Sequence, residues 1–307
     1  MKFNPKARFD TSQVRRRSPS SGGGSGLSTG GFSGGRGMPG GFGLPTGGIG
    51  LVVIIGIFLF TQFSGGGGTG LDPGQVAGVD VTECDSGDDA AASHDCQIVG
   101  TVNSVQAFWE EALPAMSTRE YEESVTELFS GSVTTDGCGT ATSAVGPFYC
   151  PADDSIYIDT TFFDAMLEGQ LGATGGDFAE AYVIAHEYGH HVQDLLGTMD
   201  QVRGGTGADS DAVALELQAD CYAGMWAKHA TTTEDENGEV FILELTQEDI
   251  AEAIDAAEAV GDDRIQERAE GQVRPETWTH GSAAQRREWF MTGFERGTLD
   301  ACNTFER

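Results

Sequence analysis

Two histidines and a glutamate, His186, Glu187 and His190, form the pattern His-Glu-x-x-His. Residues i and i+4 share one face of an α-helix, so both imidazoles point to one spot and can bind a single zinc ion. Glu187 projects beside them, where its carboxylate can take a proton from a water activated by the metal. The same pattern can arise by chance on a helix whose two histidines are only hydrogen-bonded. This segment is otherwise apolar, however, and burying two histidines and a glutamate without a function would be costly. It therefore indicates metal-assisted hydrolysis.

Two acids further along the chain, Glu216 and Asp220, have the same spacing of four residues. Glu216 is predicted to be the third zinc ligand, which leaves the fourth position open for water. Asp220 is predicted to accept a hydrogen bond from the outer ring nitrogen of His186 and so to fix its tautomer. The alternative, a solvated acidic helix face, suits the apolar residues around them poorly. We expect one zinc ion per chain.

A hydrolase of this kind also needs a donor for the negative charge that develops on the substrate oxygen. His280 is the first candidate, because it precedes a predicted helix from which its side chain could reach the metal. Tyr222 is the second candidate. The alternatives are a histidine at a helix entry and a packed aromatic ring. His191 is predicted to lie about a quarter-turn away from the zinc site.

The elements that would position these residues are mostly helices. Helical apolar spacing predicts a helix over 102–116 and another over 177–196, with Asp177 and Glu180 as a capping box and Gly197 as its stop. Further helices are predicted over 212–229, from Thr246 to about Val260, and after Ser282. Residues 155–159 alternate like a strand, whose edge could pair with an extended substrate. We therefore predict a mainly helical α+β domain.

Composition divides the chain into four parts. Residues 1–46 are rich in Gly and Ser and predict a disordered, basic tail. Residues 47–63 are apolar and uncharged and predict a transmembrane helix. A flexible tether over 64–79 would join it to the domain at 80–307. The basic flank predicts a single-pass protein of the cell membrane, with a cytoplasmic N-terminus and an extracytoplasmic domain. A cleaved signal peptide is disfavoured, because the leader is long and no Ala-x-Ala follows.

All six cysteines follow the apolar segment, which favours disulfides in an oxidising compartment over free thiols. They allow 15 complete pairings. The simplest pairs neighbours in the sequence: Cys84 with Cys96, Cys138 with Cys150, and Cys221 with Cys302. The formal net charge of −31 would repel phosphates, which argues against nucleic acid as a partner.

Several blocks of the chain resemble a known family. They read GPFYCP at 146–151, GDFAEAYVIAHEYGHHVQ at 176–193, LELQADCYAG at 215–224, AVGDDR at 259–264 and THGSAAQR at 279–286. This sequence is similar to the neutral zinc metallopeptidases of bacteria, membrane-anchored proteins of the YpfJ type. The resemblance implies a zincin-like fold, with His186 and His190 as zinc ligands and Glu187 as catalytic base, and it supports Glu216.

The sequence thus predicts a zinc-dependent peptidase of the cell envelope, acting on a peptide or protein substrate. One alternative is a zinc-containing envelope module that binds or regulates without catalysis, although a purely structural site does not need Glu187. Another is a metal-dependent hydrolase of bonds other than peptide bonds.

Overall fold

The computed structural model describes residues 1–17 and 80–306 of the chain. Its helices in this part are α1 (Gly87–Ala92), α2 (His94–Met116), α3 (Asp177–Leu195), α4 (Asp211–His229), α5 (Gln247–Ala259), α6 (Asp262–Glu270) and α7 (Ala283–Arg296). Its strands are β1 (Lys2–Phe3), β2 (Val14–Arg16), β3 (Val125–Phe129), β4 (Ser132–Thr134), β5 (Thr140–Thr142), β6 (Phe148–Cys150), β7 (Ser155–Asp159) and β8 (Ile242–Glu244). The predicted α+β class is confirmed.

The main sheet has four strands in the order β2-β3-β7-β6. Strands β2, β3 and β7 are parallel, and β6 runs antiparallel to β7. The strand predicted over 155–159 is therefore present, but it lies inside the sheet. Its two neighbours occupy both of its edges, so β6, and not β7, is the outer strand on this side.

Helix α3 carries the His-Glu-x-x-His pattern and is buried over most of its length. Its predicted capping box is wrong. Gly176 is the N-cap, with φ of 117°, and Asp177 is already helical. Glu180 instead bonds to Nε2 of His94, at 2.5 Å. Asp177 and Glu180 still place negative charge in the first turn, where the positive end of the helix dipole stabilises it.

The other helices begin where local signals place them. The side chain of Ser210 caps α4 by accepting from the N–H of Val213. Capping boxes start α5, at Thr246 and Asp249, and α7, at Ser282 and Gln285. Helix α2 begins at His94, well before the predicted residue 102. Helix α6 was not predicted.

Two glycines allow the helices around the site to approach closely. A Cβ atom on Gly189 of α3 would lie 3.0 Å from the Cα and O atoms of Ala219 on α4. A Cβ atom on Gly293 of α7 would lie 1.8 Å from the carbonyl oxygen of Cys221 on α4, a distance that no structure accommodates without movement. Helix α4 is thus held between α3 and α7 with main chains nearly in contact.

The predicted disordered tail is wrong for its first 17 residues. Strand β1 pairs with β8, and β2 pairs in parallel with β3, so this segment is part of the folded domain. The guanidinium of Arg16 also lies 2.6 Å from the carboxylate of Asp95. The basic residues that suggested a cytoplasmic tail therefore serve, in part, to pair with the acidic domain.

The predicted single-pass topology is overturned by the same pairing. That topology would place residues 1–17 and 80–306 on opposite sides of a membrane, yet β2 and β3 are neighbours in one sheet. Within the part of the chain that the structure describes, no helix has both the length and the apolar character needed to cross a bilayer. The segment at 47–63 and the tether at 64–79 lie outside the described residues.

Three disulfides form the pairs that the sequence suggested as simplest. They join Cys84 to Cys96, Cys138 to Cys150, and Cys221 to Cys302. The first two close loops with a sequence separation of 12 residues, whereas the third spans 81. The long one ties the end of the chain to α4, directly beside Asp220.

Candidate metal centre

Three predicted ligands meet where α3 packs against α4. His186 and His190 lie one turn apart on α3, and Glu216 faces them from α4. One possible ligand atom from each lies within 4.8 Å of the others, and all three residues are buried. In the described part of the chain, no other three histidine, cysteine or acidic side chains lie close enough together to hold a metal ion.

The free atoms of this cluster fit a tetrahedral ion. Nε2 of His186 is 3.3 Å from Oε2 of Glu216, and Nε2 of His190 is 3.5 Å from Oε1. Ligands held about 2.0–2.1 Å from a tetrahedral zinc ion are separated by roughly this distance. Both Nε2 atoms and Oε2 are buried without a hydrogen-bond partner among the described residues, which is costly unless something else satisfies them. The cluster therefore suits zinc.

Asp220 sets the orientation of His186, in the geometry that the sequence suggested. Nδ1 of His186 donates to Oδ1 of Asp220 at 2.9 Å, which leaves Nε2 as the lone-pair atom facing Glu216. Burial alone would lower the pKa of His186, but the charge of Asp220 and the hydrogen bonds to Asp220 and Glu216 together outweigh it and raise that pKa to about 9. Burial alone would raise the pKa of Asp220, but the charges and hydrogen bonds of Arg286 and His186 together outweigh it and lower that pKa.

Gln193 plays the corresponding part for His190, and the sequence reasoning missed it. Nδ1 of His190 donates to Oε1 of Gln193 at 2.8 Å, so here too Nε2 carries the lone pair. The amide of Gln193 then donates to the side chain of Gln218 at 3.1 Å, which in turn donates to the carbonyl of Cys302 at 3.0 Å. Its position three residues after His190, on the same helix face, was the available signal.

The two histidines consequently have opposite electrostatics. Burial lowers the pKa of His190 to about 4, and the charge of Glu216 and the hydrogen bond to Gln193 oppose the fall only in part. His186 faces a second carboxylate, that of Asp220, and its pKa rises. Burial alone would raise the pKa of Glu216, but the charges of the three nearby histidines and the hydrogen bond to His186 together bring it well below its usual range. The cluster therefore keeps a carboxylate charge ready for a cation.

Glu187 is fully buried beside this cluster, and neither carboxylate oxygen has a hydrogen bond of normal geometry among the described residues. Burial raises the pKa of Glu187 to about 7, and the charge of His186 partly opposes the rise. The main-chain N–H of Tyr149, on β6, is close enough to lower that pKa slightly. A carboxylate in this state can both accept and return a proton near neutral pH.

His280 lies beside α4, close enough for its charge to help lower the pKa of Glu216. Its Nδ1 atom is 3.3 Å from Oδ1 of Asp262, a residue that the sequence reasoning did not single out. Burial alone would lower the pKa of His280, but the hydrogen bond and charge of Asp262, together with the charge of Glu216, outweigh it and raise that pKa. Because Nδ1 faces Asp262, Nε2 is the atom of this ring that could donate to a ligand.

Tyr222 and His191 are directed elsewhere. The ring of Tyr222 packs edge-on against Trp109, with centroids 5.4 Å apart, in the hydrophobic core. It lies about 120° around α4 from Glu216. Nε2 of His191 donates to the carbonyl of Glu122 at 2.6 Å, and its other nitrogen is 3.3 Å from the hydroxyl of Tyr149. The structure thus brings His280, and not Tyr222, toward the cluster.

Comparisons with known proteins identify the family of this chain. The family model described as "Putative neutral zinc metallopeptidase" matches residues 3–305. An uncharacterized protein of Mycobacterium tuberculosis is 49% identical over 251 residues, which cover 77% of this chain and 83% of the relative. The uncharacterized protein YpfJ of Escherichia coli is 42% identical over 282 residues, covering 89% and 92%. No solved structure gave a significant match.

The match includes the N-terminal strands as well as the helices that carry the cluster. The description of the family names zinc, and zinc is also the metal that fits the types and the spacing of the three predicted ligands. This chain belongs to the family described as "Putative neutral zinc metallopeptidase".

Proposed function

We propose that this protein is a zinc-dependent peptidase that hydrolyses peptide bonds, with Glu187 as its catalytic base. The observation that carries the proposal is a set of buried atoms on His186, His190 and Glu216 that lie at the spacing of zinc ligands and have no hydrogen-bond partner in the described part of the chain. The buried carboxylate of Glu187 beside them supports hydrolysis over metal storage, because a structural zinc site has no use for it.

Zinc held by His186, His190 and Glu216 would supply Lewis acidity, lowering the pKa of water and polarising a carbonyl. Glu187 takes a proton from the attacking water and later delivers it to the nitrogen of the leaving amine. His280, oriented by Asp262, donates a hydrogen bond to the substrate oxygen as negative charge develops on it. Burial of the site keeps bulk water away from these proton transfers.

Strand β6 supports a peptide substrate. Among the described residues, it is one of the two outer strands of the four-stranded sheet, and its residue Tyr149 lies near Glu187. An outer strand offers main-chain N–H and C=O groups to which an extended peptide can pair. A peptide added beside β6 would run past the base.

The test compares the full-length wild type with Glu187→Gln and with the exposed control Glu110→Gln. Zinc is measured by elemental analysis, and cleavage of a denatured protein mixture is measured by mass spectrometry. We expect similar zinc content in all three, with cleavage by the wild type and the control. Cleavage by Glu187→Gln should fall by about 10²–10⁴-fold.

Three outcomes would contradict the proposal. Zinc without cleavage in the wild type would favour a module that binds zinc without catalysis. Absence of zinc from the wild type would remove the metal site itself. Loss of zinc from Glu187→Gln, with normal zinc in Glu110→Gln, would make Glu187 a residue of metal binding instead of a base.

A further inference from the structure

Arg286 on α7 is among the most completely buried large side chains of the described chain. A buried guanidinium is costly unless it is paired and hydrogen-bonded. Arg286 also occupies a position where the helix otherwise turns apolar or small residues inward, since the buried residues of α7 are Ala283, Arg286, Phe290 and Gly293. A charge in that stripe calls for a specific partner.

The partner is Asp220. Nε of Arg286 donates to Oδ2 at 2.8 Å, and Nη2 donates to Oδ1 at 2.9 Å. This two-pronged contact fixes the plane of the carboxylate as well as its position, which a lysine could not do. Nη2 also lies 3.2 Å from the hydroxyl of Tyr182, on α3.

Asp220 is in turn the residue that orients a proposed ligand. Its Oδ1 atom accepts from the hydroxyl of Tyr182 at 2.5 Å and from Nδ1 of His186 at 2.9 Å. Arg286 therefore binds both oxygens of the carboxylate that holds His186, and its Nη2 atom shares Oδ1 with Nδ1 of His186. Without the guanidinium, the carboxylate could rotate, and its negative charge would be left without a cationic partner on that side.

We infer that Arg286 is a positioning residue for the metal centre, acting through Asp220 on His186. The inference rests on the proposed function, because it takes His186 as a zinc ligand. It connects the last helix of the chain to the metal: α7 does more than cover α4, since it supplies the group that locks the carboxylate. A residue that only stabilised the fold would leave the affinity of the folded protein for zinc unchanged.

The experiment measures zinc dissociation constants of the full-length chain by chelator competition, together with melting temperatures with and without zinc. The variants are Arg286→Met, Arg286→Lys, Asp220→Asn and the double variant Asp220→Asn with Arg286→Met. Arg287→Met is the control, because the neighbouring Arg287 side chain is 60% exposed. Arg286→Lys keeps a positive charge beside Asp220 and provides a folded variant where Arg286→Met does not fold.

We expect Arg286→Met and Arg286→Lys to bind zinc about 10–100-fold more weakly than the wild type, as for other groups that orient metal ligands. The rise in melting temperature on adding zinc should shrink accordingly. The zinc dissociation constant of the double variant should lie within about twofold of that of the weaker-binding single variant, because Arg286 acts through Asp220. The control should stay within about twofold of the wild type.

The inference fails if a folded Arg286 variant binds zinc as tightly as the wild type, or if the effects of the two single changes multiply in the double variant. These results differ from a failure of the proposed function, in which the wild type itself would bind no zinc. The inference would also fail if an Arg286 variant melted at a lower temperature than the wild type but showed the same rise in melting temperature on adding zinc.

Discussion

Oδ2 of Asp262 accepts a hydrogen bond of 2.7 Å from the main-chain N–H of His280, the residue whose ring also faces that carboxylate. The main-chain N–H groups of Thr279 and Gly281 donate to the same oxygen, at 2.8 and 3.0 Å. One buried carboxylate therefore fixes both the turn before α7 and the orientation of His280.

Asp262→Asn should destabilise the protein most at pH 5–6. Despite burial, the hydrogen bonds and charge of His280 lower the pKa of Asp262 below 3.8, so its contribution is present above about 4 and disappears as the pH falls through the folded value. The pKa of His280 is raised, so its share is present below about 6.5 and is lost as the pH rises through its folded value. We expect a loss of roughly 2–4 kcal/mol near pH 5.5.

Urea unfolding at pH 5.5 and pH 3 would measure this difference. The difference in free energy of unfolding between the wild type and Asp262→Asn should be smaller at pH 3, because this carboxyl takes up a proton in the unfolded chain below about 3.8 while the folded protein still holds it ionised. Glu267→Gln, an exposed acid on the same helix, serves as control and should change little at either pH. An equal gap at both pH values would show that the ionised state of Asp262 is not what stabilises the turn.

Phe9→Ala should lower the free energy of unfolding by about 3–5 kcal/mol, as for other buried phenylalanines. Its ring stacks on Phe241 and meets Phe3 edge-on, with centroids 6.2 and 5.9 Å away, and only 8% of the residue is exposed. Lys6→Ala, whose side chain is 75% exposed, is the control from the same segment. If Phe9→Ala unfolded like the wild type in denaturant, residues 1–17 would not be docked on the domain.

Gln193→Leu should weaken zinc binding about 10–100-fold, because the outer nitrogen of His190 would lose the amide that fixes its tautomer. Leucine has a similar volume, so packing is preserved while the hydrogen bonds are removed. Chelator competition gives the affinity, and Gln201→Leu, at an exposed site, is the control. Unchanged affinity in Gln193→Leu would mean that the helix alone orients His190.

Replacing Cys221 and Cys302 together by alanine should cost more stability than replacing Cys138 and Cys150. In the chain-entropy account, the loop of 81 residues is worth about 4–5 kcal/mol and the loop of 12 residues about 3 kcal/mol. Thermal unfolding of both variants, with zinc removed by chelation, would give the order. The reverse order would indicate that strain or residual structure in the unfolded chain, and not loop length, governs these bonds.

The parts of the fold that sequence predicted are those with local causes. The capping box formed by Thr246 and Asp249 spans only four residues, and α5 starts there as expected. The same reasoning failed at Asp177, because Gly176 adopts a positive φ that moves the helix start by one residue. Residues 1–17 contain no glycine, but they were misread because they were treated as one segment with the Gly-rich stretch that follows. Their strands pair with partners more than 100 positions away, which no local pattern indicates.

The same division holds within the site. His186, Glu187 and His190 share one turn, and Asp220 repeats the spacing of four from Glu216, so all could be proposed from the sequence. Arg286 reaches Asp220 from 66 positions away, and no local pattern predicts that meeting. A hint was present, because an arginine stands where α7 turns its buried side inward.

The hydrogen bonds from His190 through Gln193 and Gln218 end on the carbonyl of Cys302, one half of a disulfide. Thermodynamic coupling between two such sites is reciprocal. Whatever free energy the closed disulfide adds to metal affinity, the bound metal must add to the resistance of that disulfide against thiols. Metal loss would then make reduction of the disulfide easier, and reduction would make metal loss easier, by the same factor.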